Sequence, residues 1–158
     1  VVALGYLMYE QVERLKGASL PVVCATLAGC VVGIGLVVAI ALMFGMEREV
    51  ITSIAPKSVT VPIAIAVSEP LGGSVAVTSV VVFCTGVLGS ICGPKLLDLF
   101  RVTDPMAKGF ALGAASHGIG TARAIELGAV EGAMSGLAMA LTGFGTAVLL
   151  PLVEKHLY

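Results

Sequence analysis

Two stretches concentrate the polar chemistry of this chain. In "APKSVTVP", residues 55–62, Lys57 is followed by Ser58 and Thr60 between two prolines. In "AASHGIGTARAIE", residues 114–126, Ser116, His117, Thr121 and Arg123 are interleaved with Gly118 and Gly120. Hydroxyls and an imidazole donate hydrogen bonds, an ammonium supplies a point charge, and a guanidinium presents a planar two-point fork. Brought together, such a set suits a small anion, and a carboxylate best of all. Each residue also has an ordinary reading. Arg123 is placed to pair with Glu126, three residues on along a helix. Lys57 can snorkel to an interface, and His117 can pack as a neutral ring against a backbone carbonyl. That both clusters are cationic and rich in hydroxyls favours one shared binding site over separate structural charges.

Catalysis is a poor fit to the same residues. "GIGTAR" lacks the third glycine of a dinucleotide fingerprint and follows no strand pattern. Ser116 and His117 are adjacent, and neighbours on a helix point about 100° apart, which does not make a nucleophile–base pair. The sequence has neither a His-Glu-x-x-His motif nor Cys/His metal spacing. Cys24, Cys30, Cys84 and Cys92 lie within apolar runs without a Cys-x-x-Cys pair, as packing residues do. The expectation is therefore a binding protein, not an enzyme, with no metal and no cofactor.

The elements that position these clusters follow from composition. Of 158 residues 58% are hydrophobic and only 12% charged, half of the roughly 25% charged that a soluble domain carries. Residues 17–46, 70–94 and 132–153 hold no ionisable side chain other than cysteine. Each run meets the roughly 20 apolar residues that cross about 30 Å of hydrocarbon as a helix. The chain thus reads as an all-α polytopic membrane protein in a lipid bilayer. A net charge of −1 without a basic stripe excludes nucleic acid as a partner.

Between the long runs lie two segments too short or too broken for one regular helix. Residues 50–73 are interrupted by Pro56 and Pro62, and residues 106–127 around Gly118 and Gly120. The order of short piece, polar break, short piece and long span occurs twice, defining repeat halves of about 50–97 and about 106–153. Offsetting the chain by 59 sets Ser58 on His117, Gly73 on Gly132 and Gly86 on Gly145. Paired interrupted segments are the sequence pointer to a carrier's binding site. If each dips into the membrane and returns, Arg14, Lys16, Lys95, Arg101 and Lys108 share one face and only Arg48 and Lys155 take the other. The positive-inside rule favours that arrangement, two re-entrant hairpins entering from opposite faces as inverted repeats. Residues 1–9 read as the tail of a helix whose start, with further helices, is missing. Glu69, Glu126 and Glu131 read as solvated. Gly29/Gly33, Gly89/Gly93, Gly109/Gly113 and Gly132/Gly136 are spaced for close helix packing and homo-oligomerisation.

"PKSVTVPIA" (56–64), "TGVLGSICGP" (85–94), "DPMAKGFALGAASHGIGTARAIE" (104–126) and "EGAMSGLAMAL" (131–141) resemble the signature stretches of the LrgB/CidB family. The likeness runs from "YEQ" at residues 9–11 nearly to the C-terminus, as a single transmembrane domain over 1–158. The resemblance implies a multi-pass protein of the bacterial inner membrane, antiholin-like or holin-like and linked to murein hydrolase control and cell lysis. It implies also a small LrgA/CidA-like membrane partner and kinship with the plastid glycolate/glycerate translocator. The residues themselves favour a secondary transporter of small monocarboxylates (glycolate, glycerate, lactate or pyruvate), with a holin/antiholin-like regulator as the alternative.

Overall fold

The computed structural model describes residues 19–157. Those residues form six α-helices and one short 3₁₀ turn, with no strand among them. The helices are α1 (Ser19–Met43), α2 (Arg48–Ile54), α3 (Val61–Ser68), α4 (Val75–Leu99), α5 (Pro105–Leu127) and α6 (Ala129–Leu157), with the 3₁₀ turn at Glu69–Leu71 after α3. Residues 1–9 and the basic residues Arg14 and Lys16 lie outside the described part.

Helices α1, α4 and α6 are long and apolar enough to cross a membrane. At 1.5 Å per residue, the 25 residues of α1 and of α4 span about 37 Å each. Their outward faces are apolar: Leu36, Val80, Leu88 and Phe144 are 57–73% exposed. The buried set is instead rich in small hydroxyls, among them Thr52, Ser53, Ser68, Thr78, Thr121 and Ser135. This is the distribution of a protein solvated by lipid, where helices associate through small residues and hydrogen bonds.

Contacts fix the direction of each element. Cys30 Sγ donates to the Thr142 carbonyl at 3.8 Å, and Val38 clusters with Leu150. The near-constant offset means that α1 and α6 run parallel. We call the end where α1 begins the lower face and the end where it finishes the upper face. At the upper face, the Ser74 amide donates to Ser53 Oγ at 2.7 Å, and Val67 and Leu71 pack against the cluster holding Ile51 and Ala55. Residues about 20 apart therefore sit at the same depth, which a single crossing would separate by roughly 30 Å. So α2 and α3 form a hairpin that enters and leaves at the upper face. From there α4 descends.

The second interrupted segment does the same from below. Within α5, Ser116 (φ −131°, ψ 15°) and His117 (φ 43°, ψ −133°) are not helical and divide Pro105–Leu127 into two helical limbs. A Cβ at Gly120 would strike the Leu112 carbonyl, one at Gly113 the Ser135 backbone and one at Gly109 the Glu131 backbone. Thr121 Oγ1 also lies 2.9 Å from Ser135 Oγ. The chain thus rises over 105–115, turns, and falls over 118–127 before α6 rises from Ala129. Each limb is about 15–16 Å long, half of the hydrocarbon thickness. Asp104 Oδ1 accepts from the Ala107 amide at 2.8 Å, with Pro105 at the first helical position, a regular start.

Two sequence expectations are corrected here. The second break falls at Ser116 and His117, not at Gly118 and Gly120; glycine at 120 serves instead the close approach of the two limbs. Pro62 does not interrupt a helix but opens α3, in whose first turn a missing N–H costs nothing.

Candidate functional site

The two hairpin tips meet the same stretch of α4, near its middle. From above, Val59 packs with Val82 and Ala64 in one buried cluster. From below, His117 Nε2 lies 2.9 Å from the Val82 carbonyl. Gly86 faces the His117 ring and Gly89 faces Ser116, and a side chain at either glycine would collide with the tip. Residues 82–89 are central in a helix of residues 75–99, so both breaks lie at mid-depth.

Lys57 and Ser116, one from each tip, line a single cavity of about 470 Å³ between α4 and the rising limb of α5. Its walls include Gly89, Cys92, Leu96 and Leu112. The Lys57 ammonium donates to Ser58 Oγ at 3.1 Å and is in no ion pair among the described residues. An ammonium carries three donors, so two remain for a ligand. Ser116 is 2% exposed, and its Oγ makes no hydrogen bond among the described residues. A cation without a counter-charge at membrane depth is expensive, by insertion scales roughly 2.5 kcal/mol or more, and an anion offsets that cost.

Of the other expected site residues only Ser58 makes a side-chain hydrogen bond to this pair, accepting from Lys57. Ser58 lines a narrow cavity of about 10 Å³ with Cys30, Thr142 and Thr146, and Thr60 is half-buried at the start of α3 without a side-chain cap. His117 spends Nε2 on Val82, and Thr121 Oγ1 donates to the His117 carbonyl at 2.8 Å, so both hold the tip in shape. Gly118 is exposed, with only the Met139 sulfur at 4.0 Å from where a Cβ would stand. Gly120 is buried between the limbs. Arg123 is not brought to the cavity. It lies six residues beyond His117 toward the lower face, 43% exposed, and pairs with Glu126 in an i,i+3 salt bridge. The structure therefore joins Lys57 to Ser116 rather than to Arg123.

One buried acid near the end of α6 was not among the residues singled out in the sequence. Glu154 is only 5% exposed, and its Oε1 accepts from Arg48 Nε at 3.0 Å and Thr52 Oγ1 at 2.8 Å. It ties the base of the first hairpin to the end of α6. Its sole sequence signal is a carboxylate within helical reach of an apolar span.

The family model described as "LrgB-like family" matches residues 1–156. The protein named "Antiholin-like protein LrgB" from Bacillus mycoides (strain KBAB4) is 36% identical over 151 residues, 96% of this chain and 66% of its own length. Proteins of the same name from Bacillus cereus (strain B4264) and Bacillus anthracis (strain CDC 684 / NRRL 3495) match to the same extent. The chain thus spans 66% of the length of these curated relatives. No solved structure matches it. With paired hairpins built on the very stretches that carry the likeness, and a family match along nearly its whole length, this chain belongs to the LrgB-like family.

Proposed function

We propose that this chain is part of an antiholin-like protein of a bacterial inner membrane, a non-enzymatic regulator that restrains lysis and murein hydrolase activity. The observation that carries this reading is the match, over 96% of the chain, to proteins named antiholin-like. Self-association and a small LrgA/CidA-like membrane partner belong to the same reading.

A second activity is favoured by one specific observation. Two hairpins from opposite faces bring Lys57 and Ser116 to a shared mid-depth cavity, and discontinuous helices meeting at the midplane are how secondary carriers build substrate sites. On this reading the protein carries a monocarboxylate, with Lys57 as counter-charge, and effects on lysis follow from altered carboxylate flux.

One paired measurement on wild type and Lys57→Gln tests both. In cells lacking the gene, restoring the wild type is expected to slow autolysis several-fold. In proteoliposomes it is expected to take up labelled monocarboxylates, with uptake falling at least tenfold in Lys57→Gln. An autolysis rate indifferent to the protein overturns the first reading. Uptake no faster than in protein-free vesicles overturns the second.

A further inference from the structure

The shape and lining of the Lys57 cavity specify more than a negative charge. We propose that it takes a single-chain carboxylate with an extended apolar body, such as a medium-chain fatty acid, its head at Lys57 and Ser116 and its tail along α4. The proposal rests on the carrier reading and narrows its substrate class.

Three observations carry it. The first is direction. The first hairpin enters from the upper face, so Lys57 reaches the cavity only at its mid-depth end, while the lining continues along α4 to Leu96 and Leu97 near the lower face. From Thr85 to Leu97 the cavity wall runs about 18 Å. The second is chemistry. Thr85 Oγ1 already donates to the Val81 carbonyl at 2.8 Å, which leaves the ammonium and the Ser116 hydroxyl as the strong donors. Both stand at the same end, and beyond them the wall is leucine, alanine, glycine and a thiol. A hydroxyl on the body of a short hydroxy acid would find no partner there. The third is size and access. A volume of about 470 Å³ lies within the roughly 300–1,000 Å³ of sites for drug-sized ligands, ample for a long acid. Among the described residues, the lining leucines Leu88 and Leu96 are 62% and 49% exposed on a membrane-spanning helix, a route by which an amphiphile enters from the acyl chains.

The test uses the protein in phosphatidylcholine nanodiscs and an octanoate analogue with a photoreactive diazirine at its tail end, with labelled residues mapped by mass spectrometry. Labelling is expected around Leu96, Leu97 and Ala111. Unlabelled acids from butyrate to octanoate should compete about fourfold better per added methylene in aqueous concentration. Octanol, with the same tail and no charge, should be at least tenfold weaker than octanoate. Lys57→Gln should abolish that preference for the acid over the alcohol. Ala111→Leu, which narrows the tail end of the cavity and keeps the lysine, should weaken octanoate at least tenfold and butyrate little. Competition by glycolate as strong as by octanoate would overturn the proposal and leave the carrier reading standing. Competition by no carboxylate, or by octanol as well as octanoate, would overturn both. Crosslinks between two copies through the cavity would place a second chain there instead and equally overturn it.

Discussion

At the tip of the second hairpin, a residue with a side chain occupies backbone space that favours glycine. His117 has φ 43°, a conformation costing about 1–3 kcal/mol, and it persists only where its surroundings over-determine it. Here the surroundings are the Val82 carbonyl at 2.9 Å and the flat floor left by Gly86. A hydrogen bond of this kind contributes about 0.5–1.5 kcal/mol, so the ring anchors the strain that shapes the tip. Replacing His117 by alanine removes the anchor and keeps the strain; glycine removes both. The alanine variant is expected to be less stable than wild type, and His117→Gly more stable than His117→Ala by about 1–3 kcal/mol, the strain that glycine relieves. Chemical unfolding in bicelles measures it, and alanine proving the milder change would show that the backbone at 117 is unstrained. The sequence allowed His117 a backbone carbonyl as partner but did not say which one, because Val82 lies 35 residues away. It presented Lys57 and Arg123 as equals for a related reason. Both stand beside helix breakers, but Lys57 lies inside its break, whereas Arg123 lies far enough beyond its own to find Glu126 on a regular helix.

Between elements, glycine decides which helices touch. The rising limb of α5 lies against α6 because Gly109 and Gly113 leave room for the Glu131 and Ser135 backbones, and against α4 because Gly89 leaves room for Ser116. Backbone atoms cannot swing aside as a leucine tip can, so one methyl at Gly113 must shift a whole limb, an overpacking cost of about 1–3 kcal/mol. Gly118, with only the Met139 sulfur at 4.0 Å, has room for the same methyl. Gly113→Ala is thus expected to lower the unfolding free energy by about 1–3 kcal/mol in chemical unfolding, and Gly118→Ala to leave it within about 0.5 kcal/mol of wild type. Equal effects would contradict the limb packing. The long apolar spans and the two interruptions were legible in the sequence from charge-free runs and prolines, because bilayer thickness fixes the one and backbone chemistry the other. The glycine spacings were less so. Gly29 and Gly33 share the spacing of Gly109 and Gly113, yet a Cβ at either meets nothing within 4 Å. Spacing states that a helix can be approached closely, and only the packing of the other helices states whether it is.

Across the whole molecule, the hairpins decide which loops share a compartment. If both interrupted segments crossed the membrane, the turn after α1 and the turn after α4 would lie on the same side, two crossings apart. As hairpins they contribute no crossing, so α4 alone separates those turns. Charge agrees with this count among the described residues: Lys95, Arg101, Lys108 and Arg123 gather toward the lower face, and Arg48 and Lys155 toward the upper. The side with more short-loop lysine and arginine is retained in the cytoplasm, which orients the lower face inward. The same geometry places the turn after α5 back on the lower face, where residues 105 and 129 return together. Three single-cysteine variants in a background without the native cysteines, Glu47→Cys, Thr103→Cys and Ala129→Cys, test this orientation in intact cells with a membrane-impermeant maleimide. Position 47 is expected to label from outside, and positions 103 and 129 only after the membrane is opened. Labelling of 47 and 103 from the same side would mean that the first hairpin crosses. Labelling of 103 and 129 from opposite sides would mean that the second does. Either result would pull the tips at Lys57 and Ser116 out of register with the middle of α4, and with them the cavity on which a carrier activity depends.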